Sequence, residues 1–178
     1  SICKTDLTSD LVSEFPELQG LMGGYFSRHQ GFDKDISLAI TEQYLPIGLN
    51  SKITKKPFSV ALSVTDKIDT LVGFFGVNEK PTSSKDPFAL RRAAIGLLRI
   101  IIENKLSFKL RDLISYAIRL YQDQGVEIIN AKTDQEVLEF IKERMRNVLK
   151  LKNKKCNFND ILQPHSLNLF YQLFRHVL

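Results

Sequence analysis

The side chains best suited to chemistry are four basic residues around one polar loop: Lys80, Lys85, Arg91 and Arg92. The sequence reads KPTSSKDPFALRR over residues 80–92, so hydroxyl groups and cations share one short stretch. Such side chains hold nucleic-acid phosphates without reading bases. An arginine in the first turn of a helix opposes the helix dipole, so a phosphate or a carboxylate such as Asp86 or Glu79 must compensate it. We take the four as candidate RNA-binding residues; the alternative is that they hold the fold together.

Histidine and cysteine spacings typical of catalysis or metal binding are missing from the sequence. His29, His165 and His176 form neither an HxxxH nor an HExxH pair. Cys3 and Cys156 are far apart and belong to no CxxC pair. No phosphate-binding glycine loop and no nucleophile elbow occurs either. We therefore predict that this chain contributes no catalytic residue and no metal ligand.

The composition is that of an ordinary folded chain, with 43% hydrophobic and 25% charged residues. A formal net charge of +5 suits a polyanionic partner without requiring one. No apolar stretch approaches the ~20 residues of a membrane span, and two distant cysteines favour a reducing compartment. We expect a cytoplasmic protein with no membrane partner. Because the chain begins with Ser1 and ends inside the apolar stretch 167–178, we also expect it to be a piece of a longer polypeptide.

The spacing of apolar residues predicts an all-α fold, since they recur at steps of three and four. Asp86 is a suitable N-cap before Pro87, and Gly125 suits the position just after a helix. The glycines at 20, 23 and 24 are expected to allow close packing between helices. The predicted helices are Thr5–Phe15, Pro16–His29, Lys34–Tyr44, Pro57–Gly76, Pro87–Asn104, Lys109–Gln124, Asp134–Lys150 and Asn159 to about Val177.

Two of these helices, 57–76 and 87–104, are apolar around most of their circumference and are predicted to form the core. Charged side chains on such helices must be paired or must open onto a groove. We predict that Arg99 is structural and pairs with Asp66 or Asp69. Arg91 and Arg92 lie in the first turns, where a groove is the alternative to pairing.

Several sequence words closely resemble the beta subunit of the bacterial heterotetrameric glycyl-tRNA synthetase. The family typically carries DTLxGFF followed by a GSKDPFALRRAALG segment and LRI, and the chain has close counterparts of all three in order. The resemblance covers about residues 2–125. The matching stretches are 3–7, 14–23 with Tyr25, 42–46, 65–76, 80–81, 85–94 and 96–100.

The resemblance implies a fragment from the C-terminal half of that beta subunit. In the family, a separate alpha subunit forms the adenylate from glycine and ATP with magnesium, and the beta subunit supplies tRNA binding. The implied partners are tRNA(Gly) and the alpha subunit within an α2β2 heterotetramer. The implied role of the fragment is a non-catalytic module that holds tRNA or neighbouring domains and binds no cofactor of its own.

The resemblance also implies a domain organisation. Residues 1–80 correspond to the remnant of an HD-type helical domain, 81–86 to a loop, and 87–178 to a helical domain that begins an anticodon-binding-like region. Asp6 and Asp66 stand where an HD phosphohydrolase carries metal-binding aspartates, but Thr5 replaces its histidine. Two carboxylates without histidine make a poor transition-metal site. A degenerate HD-type phosphohydrolase and a purely structural helical domain remain the alternative functions.

Overall fold

The computed structural model describes residues 3–48 and 50–151, and these form seven α-helices and no strand. The predicted all-α class is confirmed, whereas the likeness to an HD domain stays a prediction. The predicted helix from Asn159 lies outside the described residues. The helices are α1 (Asp10–Glu14), α2 (Leu21–His29), α3 (Lys34–Glu42), α4 (Pro57–Gly76), α5 (Leu90–Glu103), α6 (Leu110–Asp123) and α7 (Thr133–Leu151).

Helix α4 is the centre of the fold and has the bounds predicted from the sequence. Pro57 begins it, because a first helical residue needs no N–H partner. Val64, Ile68 and Leu71 are fully buried, and one apolar cluster joins α4 to α5, α6 and α7. Burying each such side chain stabilises the fold by roughly 1.5–3 kcal/mol. The cluster contains residues from both sides of the 81–86 loop; the division of the chain at that loop stays a prediction.

The glycines of α2 let it pack directly against α3, as predicted. A Cβ added to Gly24 would lie 1.9 Å from Oγ1 of Thr41, and one added to Gly23 would lie 2.8 Å from Cγ2 of Ile40. Neither position has room for a larger residue. This pair of helices packs on α4 through α3, forming a second layer beside the main core.

The first two predicted helices are each interrupted. Thr5–Thr8 and Pro16–Leu18 are 3₁₀ turns, and only then do α1 and α2 begin. The side chain of Ser9 caps α1 by accepting from the amide of Val12, and Gly20 precedes α2 with a φ of +79°. Both features stop a continuous helix, so the predictions Thr5–Phe15 and Pro16–His29 were too long.

Helix α5 begins at Leu90 and not at Pro87 as predicted. Ala89 has a left-handed backbone with a φ of 56°, which places a break after Pro87 and Phe88. Asp86 still caps the helix: its carboxylate accepts from the amides of Leu90 at 2.8 Å and Arg91 at 3.0 Å. The predicted capping residue was right, but it acts across a turn of three residues.

At the other end of the core, Gly125 follows α6 with a φ of +73°, which confirms its predicted place after that helix. In the described ranges, no helix is long and apolar enough to cross a membrane.

Candidate nucleic-acid interface

Of the four predicted RNA-binding residues, Arg91 has internal partners. Its guanidinium donates a hydrogen bond to the carbonyl oxygen of Thr82, and its Nη1 lies 3.8 Å from Oδ2 of Asp86. The carboxylate of Asp86 therefore compensates Arg91 at this helix start. Because Thr82 also exchanges hydrogen bonds with Lys85 through its backbone and hydroxyl, Arg91 holds an already closed loop onto α5.

Lys80 is also engaged within the fold. Its Nζ lies 2.6 Å from Oε2 of Glu136 on α7, and both side chains are 35% exposed. Asn130 donates to the same carboxylate oxygen at 2.7 Å. The hydrogen bonds from Lys80 and Asn130 lower the pKa of Glu136. This contact fastens the start of the loop to α7.

Lys85 and Arg92 differ from the other two. Both side chains are exposed, and within the described residues neither forms an ion pair. Within the part of the chain that the structure describes, the loop and the first turn of α5 therefore present two exposed cations without an ion pair. Whether any of the four binds RNA stays a prediction.

Arg99 is structural, but its predicted partners were wrong. Its guanidinium donates to the backbone carbonyl oxygens of Gly48 and Ser51, and its Nε lies 3.3 Å from Oε1 of Glu103. Only 8% of its side chain is exposed. The arginine therefore fixes the loop before α4 against α5.

Asp66 and Asp69 bind other partners instead. Oδ1 of Asp66 lies 2.8 Å from Nζ of Lys4, and Oδ1 of Asp69 accepts a 2.5 Å hydrogen bond from the hydroxyl of Tyr121. Burial opposes the charge of Lys4, but Asp66, together with Asp69 and Tyr44, outweighs it, so the pKa of that amine is raised. Burial raises the pKa of Asp69 although the Tyr121 hydrogen bond opposes it, and burial together with Asp69 raises the pKa of Tyr121.

A cleft of about 650 Å³ opens between the N-terminal turns and the helices α4 and α5. Its polar and aromatic lining includes Lys4, Tyr44, Asp66, Lys67, Phe88 and Arg92. Arg92 is thus both an exposed surface cation and part of the wall of a cavity. Burial raises the pKa of Tyr44.

Lys67 is the residue in this region that the sequence reasoning missed. It is 5% exposed, and its Nζ donates to Oγ of Ser63 at 2.9 Å and to the carbonyl oxygen of Gln43 at 3.1 Å. Burial lowers the pKa of Lys67 to about 8, although Asp66 opposes the shift. A lysine inside the most apolar helix was the available signal, because a buried amine must find hydrogen-bond partners.

The structure gives other partners to Asp6 and Asp66, the aspartates that the sequence resemblance predicts at HD metal-ligand positions. Asp6 is fully buried and accepts from the amide of Gly20 at 2.6 Å, while Asp66 pairs with Lys4. In the part of the chain that the structure describes, no three His, Cys, Asp or Glu side chains are grouped to hold a metal ion. The residues present do not fit a transition-metal site.

Comparison with known proteins places the chain in the class of aminoacyl-tRNA synthetase components. The family model that matches residues 1–161 is described as the glycyl-tRNA synthetase beta subunit. The chain belongs to this family, and the resemblance seen in the sequence is confirmed.

Individual relatives agree with the family. Over 145 residues, or 82% of this chain, it is 45% identical to the glycine–tRNA ligase beta subunit of Rickettsia canadensis. It is 43% identical to the protein of that name from Pseudomonas syringae pv. tomato and 46% identical to that from Colwellia psychrerythraea over the same share. The matched region is 21% of each relative, so the chain spans about a fifth of their length.

Proposed function

We propose that this chain is a tRNA-binding module of a glycine–tRNA ligase beta subunit. It is not itself catalytic and supports the ATP-dependent attachment of glycine to tRNA(Gly) by an alpha subunit in an α2β2 assembly. The names of the relatives and the family membership support the assignment to this ligase. The magnesium and ATP belong to the partner subunit in this proposal.

The observation that supports the RNA-binding role is that Lys85 and Arg92 are exposed and form no ion pair with any of the described residues. By contrast, the charge of Arg91 is compensated by Asp86, and that of Lys80 by Glu136. Exposed cations without an internal partner are available to a phosphate backbone, and such contacts position RNA without reading its sequence. We therefore place the proposed RNA contacts on Lys85 and Arg92, two of the four side chains predicted from the sequence.

The purely structural alternative is supported by the same two internal contacts, because they show basic residues of this loop holding the fold. A direct test is the affinity of the full chain for a tRNA(Gly) transcript at several salt concentrations. Loss of two phosphate contacts is expected to make the negative slope of log K against log salt shallower by about 1–2. The variant Lys85→Gln/Arg92→Gln should show this change, and Arg28→Gln, at an exposed arginine of α2 outside the cleft, should not. Equal slopes in all three proteins favour the structural alternative.

The phosphohydrolase alternative receives no support from the ligand set. Asp6 gives one carboxylate oxygen to a backbone amide, and Asp66 is neutralised by Lys4. If the chain bound manganese and then released phosphate from nucleotides, that result would nevertheless support the phosphohydrolase alternative.

A further inference from the structure

Phe88 is an exposed aromatic ring at the mouth of the cleft. One of its faces stacks on Phe74, with ring centroids 4.0 Å apart and an angle of 18° between the planes. Phe88 is nevertheless 41% exposed, and it lines the same cleft as Arg92. An aromatic ring supported from behind presents a flat surface of fixed orientation, which is what stacking with a nucleic-acid base needs.

Among the described residues that line the cleft, Arg92 is the exposed cation for which no ion pair is seen. Lys4 and Asp66 pair with each other, and Lys67 is buried with its amine hydrogen-bonded to Ser63 and Gln43. Glu17 contributes one carboxylate, and Arg92 contributes a guanidinium without an ion-pair partner in the described residues. Because guanidinium groups bind phosphates through paired hydrogen bonds, Arg92 supplies the anchor that a nucleotide requires.

Lys67, which lines the cleft, is held in place by hydrogen bonds within the protein before any ligand arrives. Nζ of Lys67 joins Ser63 of α4 to the carbonyl oxygen of Gln43, and Ser63 itself donates to the carbonyl oxygen of Leu45 at 2.5 Å. A cavity that is already ordered loses less conformational entropy when a ligand binds. Its volume of about 650 Å³ lies in the range of clefts that hold a single small ligand.

We propose that this cleft binds one unpaired nucleotide of an RNA, with the base stacked on Phe88 and a neighbouring phosphate on Arg92. The inference rests on the proposed function and makes its substrate class more specific. Except at its two end pairs, a base within a duplex is covered on both faces by its neighbours, so a nucleotide in a single-stranded segment is far better able to place a face against Phe88.

The test uses the full chain and two labelled RNA probes, a single-stranded dodecamer and the blunt duplex formed with its complement. Fluorescence anisotropy gives the Kd for each probe. Phe88→Ala should weaken single-strand binding by roughly tenfold, the loss expected for one stacked base, and leave duplex binding unchanged. Phe88→Tyr should restore the wild-type value because it keeps the ring. Phe32→Ala is the matched control, since Phe32 is a comparably exposed aromatic residue outside the cleft.

Arg92→Gln provides a second measurement that does not depend on the Phe74–Phe88 packing. It should weaken single-strand binding more than duplex binding, and Arg28→Gln should weaken neither. Equal Kd values for Phe88→Ala and Phe32→Ala on the single strand, in proteins with unchanged circular dichroism, overturn the cleft proposal. If duplex binding persists in that case, the proposed RNA-binding function survives; if neither probe binds the wild-type chain, both proposals are wrong.

Discussion

The hydroxyl of Tyr121 on α6 donates a 2.5 Å hydrogen bond to Oδ1 of Asp69 on α4. Gly73, one turn further along α4, makes room for the ring: a Cβ there would lie 2.6 Å from the Tyr121 hydroxyl oxygen. The bond joins two core helices at residues 52 positions apart, so the sequence alone does not predict it. Asp69 is thereby a structural residue.

Tyr121→Phe should lower the free energy of unfolding by about 2 kcal/mol, because it removes a hydrogen bond to a partly buried carboxyl group. Tyr25→Phe is the control, since Tyr25 is 61% exposed. Urea unfolding followed by circular dichroism measures both. Equal losses in the two variants would show that the Tyr121 hydroxyl contributes nothing to stability.

The raised pKa of Asp69 fixes the direction of a pH effect. Because the folded carboxyl binds its proton more tightly than the unfolded one, its contribution to stability falls as pH rises from the ordinary value of 3.8 toward the folded value. Asp69→Asn should remove that part of the pH dependence. The comparison is the unfolding free energy of wild type and variant between pH 3.5 and 7; parallel curves would contradict the assignment.

Lys67 gives the opposite pH effect at the alkaline end. Its pKa is about 8 in the folded chain against 10.5 for an ordinary lysine, so stability should rise as pH increases through that interval. Across that whole pH interval, the free energy of unfolding should increase by about 3 kcal/mol. Since Lys4 and Tyr44 also titrate at alkaline pH, the quantity to measure is the difference in unfolding free energy between Lys67→Met and wild type. That difference should shift in favour of wild type between pH 7.5 and 10.5, and a constant difference would contradict a low pKa.

The contrast between α4 and α5 shows how far the sequence determined the fold. Pro57 and an apolar run that ends at Gly76 sufficed to predict α4, because both signals act within the helix itself. The start of α5 depends on Ala89 adopting a left-handed backbone so that Asp86 can reach two amides, and no periodicity encodes that turn.

The candidate site was predictable only in part for a similar reason. The sequence around Lys85 and Arg92 predicts a basic cluster. Which of its cations pair with a carboxylate depends on contacts with α7 and within the loop, and these come from the fold. The partner of Arg99 was missed because the carbonyls of Gly48 and Ser51 lie about fifty residues earlier, in a loop without pattern.

Arg99→Gln tests the corrected pairing. It should lower the free energy of unfolding by about 2 kcal/mol through the loss of hydrogen bonds to two carbonyl groups. Limited proteolysis should then cut the lysine-containing loop 50–56 faster than in wild type. The control is Arg119→Gln at an exposed position of α6. Unchanged cleavage would show that Arg99 does not fix this loop.

The central claim is that Lys85 and Arg92 contact tRNA while Lys80 and Arg91 hold the fold. The most direct measurement compares the Kd of the full chain for tRNA(Gly) with the melting temperature, in Lys85→Gln/Arg92→Gln and in Lys80→Gln/Arg91→Gln. We predict that the first variant loses tRNA affinity at an unchanged melting temperature, and that the second melts earlier while keeping its affinity per folded molecule. The reverse pattern, with affinity lost only in the second variant, would contradict the account.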